Sequence, residues 1–286
     1  MTIASWDFLE GDPITAELTA VRRLGGGSAY EAYLAFDEVT YAPVVVKVVR
    51  PDQVEDAHSL RGLAREVDAL ATVNHPVVVR GLRHVLSGDR PHVVLEQIDG
   101  PRLSTLIRRY GPLQEQQYLP LAIEVASALH YFAHLDWVHL DVKPSNVIMG
   151  APARLIDLSV ARTVADAARS RRIGTDLYMS PEQADPDRFG PPSSASDVWG
   201  LCATLFEAVA GYRAFDGASD DDVLPQTFED PYELPDGVPP EVVKVLYAGL
   251  DRDPANRPLP REVAEALEPV LARQPRVRLG GALRAG

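Results

Sequence analysis

The period of the apolar positions changes near residue 100. Between residues 19 and 50 they fall in short runs, TAVRRL, EAYLAF and VVVKVVR, separated by a glycine-rich turn and by a second turn near Asp37 to Ala42. Such runs, bounded by turn residues, predict three strands. From Ser59 to Ala71 the spacing becomes helical, with Leu60, Leu63, Val67 and Leu70 on one face, and Asn74, His75 and Pro76 stop it. Two more apolar runs, VVVRGLRHVL and PHVVLEQI, complete a small sheet with one helix packed on it.

After Asp99 and Gly100 the pattern is helical. Leu119, Ile123, Ala126 and Leu129 share one face of a helix expected from about Gln114 to His134, with Pro120 expected to kink it or to mark its first turn. Further helices are expected near 197–210, 240–251 and 260–272, while the Pro-, Gly-, Ser- and Asp-rich stretches 186–194 and 212–240 read as loops. The fold class expected is α+β and bilobal: a small β-rich lobe over 1–98, a larger helical lobe over 99–273 and a flexible tail over 274–286.

Charge narrows the function classes. The 286 residues carry a net charge of -13, with 28 basic against 41 acidic side chains, which argues against a nucleic-acid partner because phosphate-tracking proteins concentrate Lys and Arg. The start, MTIASWDFLEGD, lacks the basic and apolar regions of a leader, and no run of about 18 apolar residues occurs; a cytoplasmic protein without a membrane span is expected. The single Cys202 cannot form an internal disulfide, and no His/Cys spacing marks a zinc site. Only three of the basic residues are lysines, at 47, 143 and 244, and the chain has three asparagines, at 74, 146 and 256, so each asks for a reason.

One lysine and one asparagine share a single stretch. VHLDVKPSNVIMG, 138–150, sets Asp141, Lys143 and Asn146 at relative positions 0, +2 and +5, and eleven residues later RLIDL delivers Asp157. Phosphoryl transfer requires a carboxylate to accept a hydroxyl proton, a cation beside the transferred group and oxygen ligands for magnesium, and these residue types suit those tasks. Upstream, Lys47 stands in an otherwise apolar strand, where a buried ammonium needs a counter-charge.

Over residues 20 to 272 the chain resembles the eukaryotic-like Ser/Thr protein kinases of bacteria, a family with a two-lobed protein-kinase-like fold. HLDVKPSN matches the catalytic loop, which implies Asp141 as the base, Lys143 as the phosphate contact, and Asn146 and Asp157 as magnesium ligands. Lys47 and Glu66 match the ion pair that positions the ATP phosphates; LGGGSAYEAYLA resembles the glycine-rich lid, with Gly25 and Gly27 as its first two glycines. VVLEQIDG resembles the adenine hinge, with Leu95 at the back of the pocket and backbone groups of Glu96 and Ile98 on the purine edge. GTDLYMSPEQ resembles the end of an activation segment, with Thr175 touching the catalytic loop; Glu182 is expected to pair with Arg257, and Asp197 to anchor the catalytic-loop backbone. The resemblance thus implies a protein serine/threonine kinase, with ATP and Mg2+ as cofactors and a protein as acceptor.

Among the departures from the family pattern, which include Ala32, Leu158 and Ser180, three bear on the chemistry. Tyr30 replaces the third lid glycine, and Leu140 replaces the arginine that receives a phosphorylated activation-segment residue. Ser159 replaces the glycine after Asp157, which it can do only at negative φ. Leu140 leads to the expectation that activity does not depend on activation-segment phosphorylation. The departures also keep open a pseudokinase that binds nucleotide and signals by contact. A kinase of small molecules, which would share the catalytic Asp and Asn, is the third reading, and Lys143, Ser180-Pro181-Glu182 and the Asp197/Arg257 framework speak against it.

Overall fold

A computed structural model describes residues 4–170, 172–217 and 223–274. The first lobe is an antiparallel sheet in the order β1-β2-β3-β5-β4: β1 (Leu18–Gly26), β2 (Tyr30–Asp37), β3 (Ala42–Val49), β4 (Gly81–Val85) and β5 (His92–Glu96). Helix α1 (Ala57–Thr72) begins at Asp56, whose carboxylate accepts from the Ser59 amide at 2.7 Å. It buries Leu63, Glu66, Val67 and Leu70 against the sheet.

The near-continuous apolar run of β3 has a cause that the helix alone does not supply. Val44, Val46 and Val48 face away from α1 and pack with Tyr33, Ala35 and Val94 beneath an N-terminal arm carrying Trp6, Phe8 and Ile14. A strand covered on both faces loses the apolar/polar alternation of a half-exposed one. Trp6 and Phe8 stack at 5.8 Å, and the Arg90 guanidinium lies about 5 Å from both rings.

The second lobe holds α2 (Leu103–Tyr110) and α3 (Glu115–His134). Four short strands follow, β6 (Trp137–Val138), β7 (Val147–Ile148), β8 (Arg154–Leu155) and β9 (Arg162–Thr163); β7 pairs with β8, and β6 with β9. Helix α3 starts five residues before Pro120, capped by Gln114 and Gln117, so Pro120 does not open it. Single-turn helices α4 (Val164–Ala167), α5 (Pro181–Ala184) and α6 (Pro186–Phe189) lead to α7 (Ser194–Ala210), α8 (Pro240–Gly249) and α9 (Pro260–Ala272). Helix α6 corrects the loop expected over 186–194: Asp185 caps it, and Pro186 supplies a preset first turn.

Helix α7 is buried almost all round, which explains its apolar content, and α3 packs against both α7 and α9. Of the tail expected over 274–286, only Gln274 is described, and its side chain bonds Gln116 at 2.8 Å and Glu115. Among the described residues no helix is long and apolar enough to cross a membrane.

Candidate active site

Strand β3 aims Lys47 into the cleft between the lobes, and α1 brings Glu66 to meet it. The Lys47 ammonium lies 2.7 Å from Glu66 and 3.0 Å from Asp157, with the Glu66 side chain 1% exposed. Burial alone would discharge the lysine, yet two carboxylates hold its pKa above the usual value. Burial would likewise raise Asp157, but the Lys47 charge and the Ser159 N–H keep it well below the usual carboxylate range. For Glu66 burial outweighs Lys47 and pushes the carboxyl up, although at 2.7 Å the ammonium keeps the pair ionic.

Asp157 has φ 67° and Leu140 φ 63°, a left-handed conformation that non-glycine residues adopt where surrounding contacts impose it. At Leu140 those contacts are visible. Asp197 accepts from the amides of His139 at 2.8 Å and Leu140 at 2.7 Å, while Gln183 donates to the Leu140 carbonyl at 2.8 Å. Burial pushes the Asp197 carboxyl up to about 7, against the two N–H donors. Ser159 avoids positive φ, which meets the condition for a non-glycine residue there.

Asp141 is the meeting point. It receives the Lys143 ammonium at 2.7 Å, the Thr175 hydroxyl at 2.7 Å and the Asn146 amide at 2.9 Å; Lys143 also reaches the Thr175 oxygen at 2.5 Å. The Asn146 nitrogen bonds Asp141 twice, once at the side chain and once at the backbone carbonyl, so its amide oxygen is the atom left to ligate. His139 is fully buried and held neutral by burial, its Nδ1 accepting from the Asp141 amide at 3.2 Å.

An open cleft of about 710 Å³ is lined by Leu24, Ala32, Val45, Leu95, Ile148 and Ile156, with Lys47, Glu66, Asn146 and Asp157 at its polar end. The hinge backbone of Glu96 to Gly100 forms its rim. The Glu96 amide donates to the Arg80 carbonyl at 3.0 Å, so of its two backbone groups only the carbonyl could face a purine. The Ile98 amide has no partner among the described residues. Gly25 and Gly27 sit at the β1–β2 tip and do not line the cleft; glycine is demanded at Gly25 by its φ of 148° and at Gly26, where a Cβ would come 2.6 Å from the Tyr30 carbonyl.

A second cavity of about 620 Å³ lies against the activation segment. Gly174 to Tyr178 of the activation segment line it, with Arg213 and Leu224 opposite. Asn146 borders the first cavity and Thr175 the second, and Asp141 bonds both.

The expected framework pair also forms. Glu182 and Arg257 make a bidentate bridge at 2.6 and 2.9 Å, both side chains wholly buried, with Ser196 donating to Glu182 at 2.7 Å. Sequence reasoning missed Gln183, Gln226 and the Glu31–Arg50 pair. Gln226 donates to the carbonyls of Asp176 and Met179; Arg50 joins Glu31 at 2.8 Å to the Gly27 carbonyl at 2.7 Å. Only the alternation along β2, which turns Glu31 inward beside Tyr33, could have flagged that buried carboxylate.

Residues 18–267 match the protein kinase domain family. Curated relatives include the serine/threonine-protein kinase PknB of Mycobacterium leprae, 31% identical over 82% of this chain and 39% of the relative, and PknB of Mycobacterium tuberculosis, 30% identical over the same shares. The probable serine/threonine-protein kinase PkwA of Thermomonospora curvata is 32% identical over 86% of this chain and 33% of the relative. The chain therefore spans well under half the length of these relatives. With the match covering most of its length and the cleft built as described, the chain belongs to the protein kinase domain family.

Proposed function

We propose that the chain is a Mg-ATP-dependent protein serine/threonine kinase that needs no phosphate on its activation segment. The carrying observation is the convergence of Lys47, Glu66, Asn146 and Asp157 at the polar end of a cleft of nucleotide size, with Asp141 bonded to Asn146 there and to Thr175 of a second cavity bounded by the activation segment. Residues 1–98 then serve as the nucleotide lobe and 99–273 as the acceptor lobe, in a cytoplasmic setting.

The donor set fits magnesium carried in with a nucleotide. Among the described residues no three His, Cys, Asp or Glu side chains form a metal site of their own. Asp157 offers an ionised carboxylate and Asn146 an uncommitted amide oxygen, and magnesium typically takes one or two such ligands beside substrate phosphates. When bound, ATP with magnesium supplies the transferable γ-phosphoryl group. Lys47, fixed by Glu66, presents its charge to phosphate oxygens; Asp141 orients the acceptor hydroxyl and takes its proton; Lys143 offsets charge on the group in transit.

Independence from phosphorylation is supported by an apolar cluster. Leu140, 3% exposed, packs with Val138 and Ala167, and with Val160, Val164 and Ile173 of the activation segment. Leucine has no donor for a phosphate, but it has the surface to hold the segment by burial. Arg162 already donates to Ser170 at 2.6 Å and to the Val160 carbonyl at 3.0 Å.

The test incubates purified protein with labelled ATP, magnesium and a generic protein acceptor. Wild type should label Ser and Thr; Asp141→Asn and Lys47→Met should not, whereas Thr163→Ala and Ser170→Ala should retain activity. Stabilisation by ATP and magnesium without transfer would leave a nucleotide-binding scaffold instead.

A further inference from the structure

Tyr30 occupies the lid position where the family places glycine, yet it is absent from the cleft wall. Its side chain turns toward α1. The hydroxyl donates to the Ser59 carbonyl at 2.5 Å, and the Lys47 ammonium lies 5.1 Å from the ring centroid. Opposite the hydroxyl stands Gly62, in the middle of the helix, where a Cβ would come 2.5 Å from the Tyr30 oxygen.

Glycine is a poor choice inside a helix unless something must approach closely. Here the approaching group is visible, and the two exceptions explain each other: a bulky residue at a lid glycine, and a glycine in a helix. The first turn of α1 has few other holds on the lobe: Ala57, His58 and Arg61 are exposed, Leu60 packs half-buried on the core, and the buried Ser59 donates to the Gln53 side chain at 3.1 Å. Tyr30 also anchors the lid tip, its carbonyl accepting from the Gly27 amide at 3.0 Å. One residue therefore touches the lid, the helix that carries Glu66 and the lysine that Glu66 holds.

We propose that Tyr30 is a positioning residue that latches the first turns of α1 to the lid through the socket at Gly62, keeping Glu66 on Lys47 without any external partner. Burial raises the hydroxyl's pKa, so it stays a donor through the neutral range. The proposal rests on the kinase reading for its effect on rate, but not for its effect on α1.

The test is a double-mutant cycle on the full chain, comparing Gly62→Ala in the wild-type and Tyr30→Gly backgrounds, with Tyr30→Phe as the milder variant. With Tyr30 present, Gly62→Ala should lower kcat by about tenfold and leave KM for the protein acceptor unchanged. With Tyr30→Gly the same change should do no further harm, because alanine is the better helix former and the socket is empty. Tyr30→Phe should lose roughly fivefold, the worth of one hydrogen bond. Amide hydrogen exchange across 57–66 should accelerate in Tyr30→Gly, and this arm needs no catalysis. Equal losses from Gly62→Ala in both backgrounds, or unchanged exchange across 57–66, overturn the latch. Faster exchange in Tyr30→Gly where the wild type itself transfers no label upholds the latch and refutes the kinase reading.

Discussion

Replacing Leu140 by alanine probes the step at which this chain parts from its family. The side chain is 3% exposed, and alanine removes three carbons from the contact with Val160, Val164 and Ile173. At about 0.8 kcal/mol per buried carbon the transfer loss is roughly 2.4 kcal/mol, and the unfilled space brings it to about 3 kcal/mol. The left-handed backbone adds nothing to the difference, since alanine and leucine tolerate φ 63° equally poorly. If apolar burial is what docks the segment, its opening equilibrium shifts by about a hundredfold. Amide exchange over 160–173 measures that shift directly, and kcat with a protein acceptor should fall alongside it. Amides in the middle of α7 serve as the control for global loss. Leu140→Arg should do no better, because the guanidinium enters an apolar cluster without a phosphate to meet it. Unchanged exchange over 160–173 together with full activity in Leu140→Ala would refute the argument.

Three further outcomes are expected. Arg257→Met leaves Glu182 charged and wholly buried, so urea unfolding should show a loss of about 3–5 kcal/mol; Glu182→Gln with Arg257→Met should recover part of it. Lys47→Arg should fold normally but lose more than about a hundredfold in kcat/KM, because a planar fork cannot replace a compact ammonium held at 2.7 and 3.0 Å by two carboxylates. Asp37 accepts two bonds from Arg83, at 2.5 and 2.7 Å, which hold its carboxyl well below the usual carboxylate range. A depressed folded pKa gives stability that is present above the unfolded value, about pH 4, and is lost as pH falls; acid titration of Arg83→Met should show a shallower loss below pH 4.

The catalytic loop was legible because its chemistry is local: Asp141, Lys143 and Asn146 lie within six residues, and rare lysines stood out against arginine. The long helices were legible for the same reason, their faces repeating within a few turns. What escaped depends on partners distant in sequence. The outward valines of β3 gave a continuous apolar run, but nothing in it named Trp6, Phe8 and Ile14 as their cover. Glu31 needs Arg50, Ser5 and the Trp6 amide to be satisfied, contacts fixed by the β2–β3 register and by the path of the arm. Tyr30 stands out in the sequence as a departure from the third lid glycine, but its direction depends on where α1 lies. Leu140 was recognised as a departure, but its apolar partners come from a segment without helical or strand periodicity.

The N-terminal arm also decides where the gene can be cut. The family match begins at residue 18, so a fragment trimmed to that boundary would keep every matched residue. It would nevertheless strip Trp6, Phe8 and Ile14 from the outer side of the sheet, leaving Tyr33, Val44, Val46, Val48 and Val94 facing water. It would also take the Ser5 hydroxyl and Trp6 amide from Glu31, and the Ala4 carbonyl from Arg50. Such a fragment should bind apolar dyes and self-associate, and its glycine tip, tied to Arg50, should loosen before any residue of the cleft has been altered.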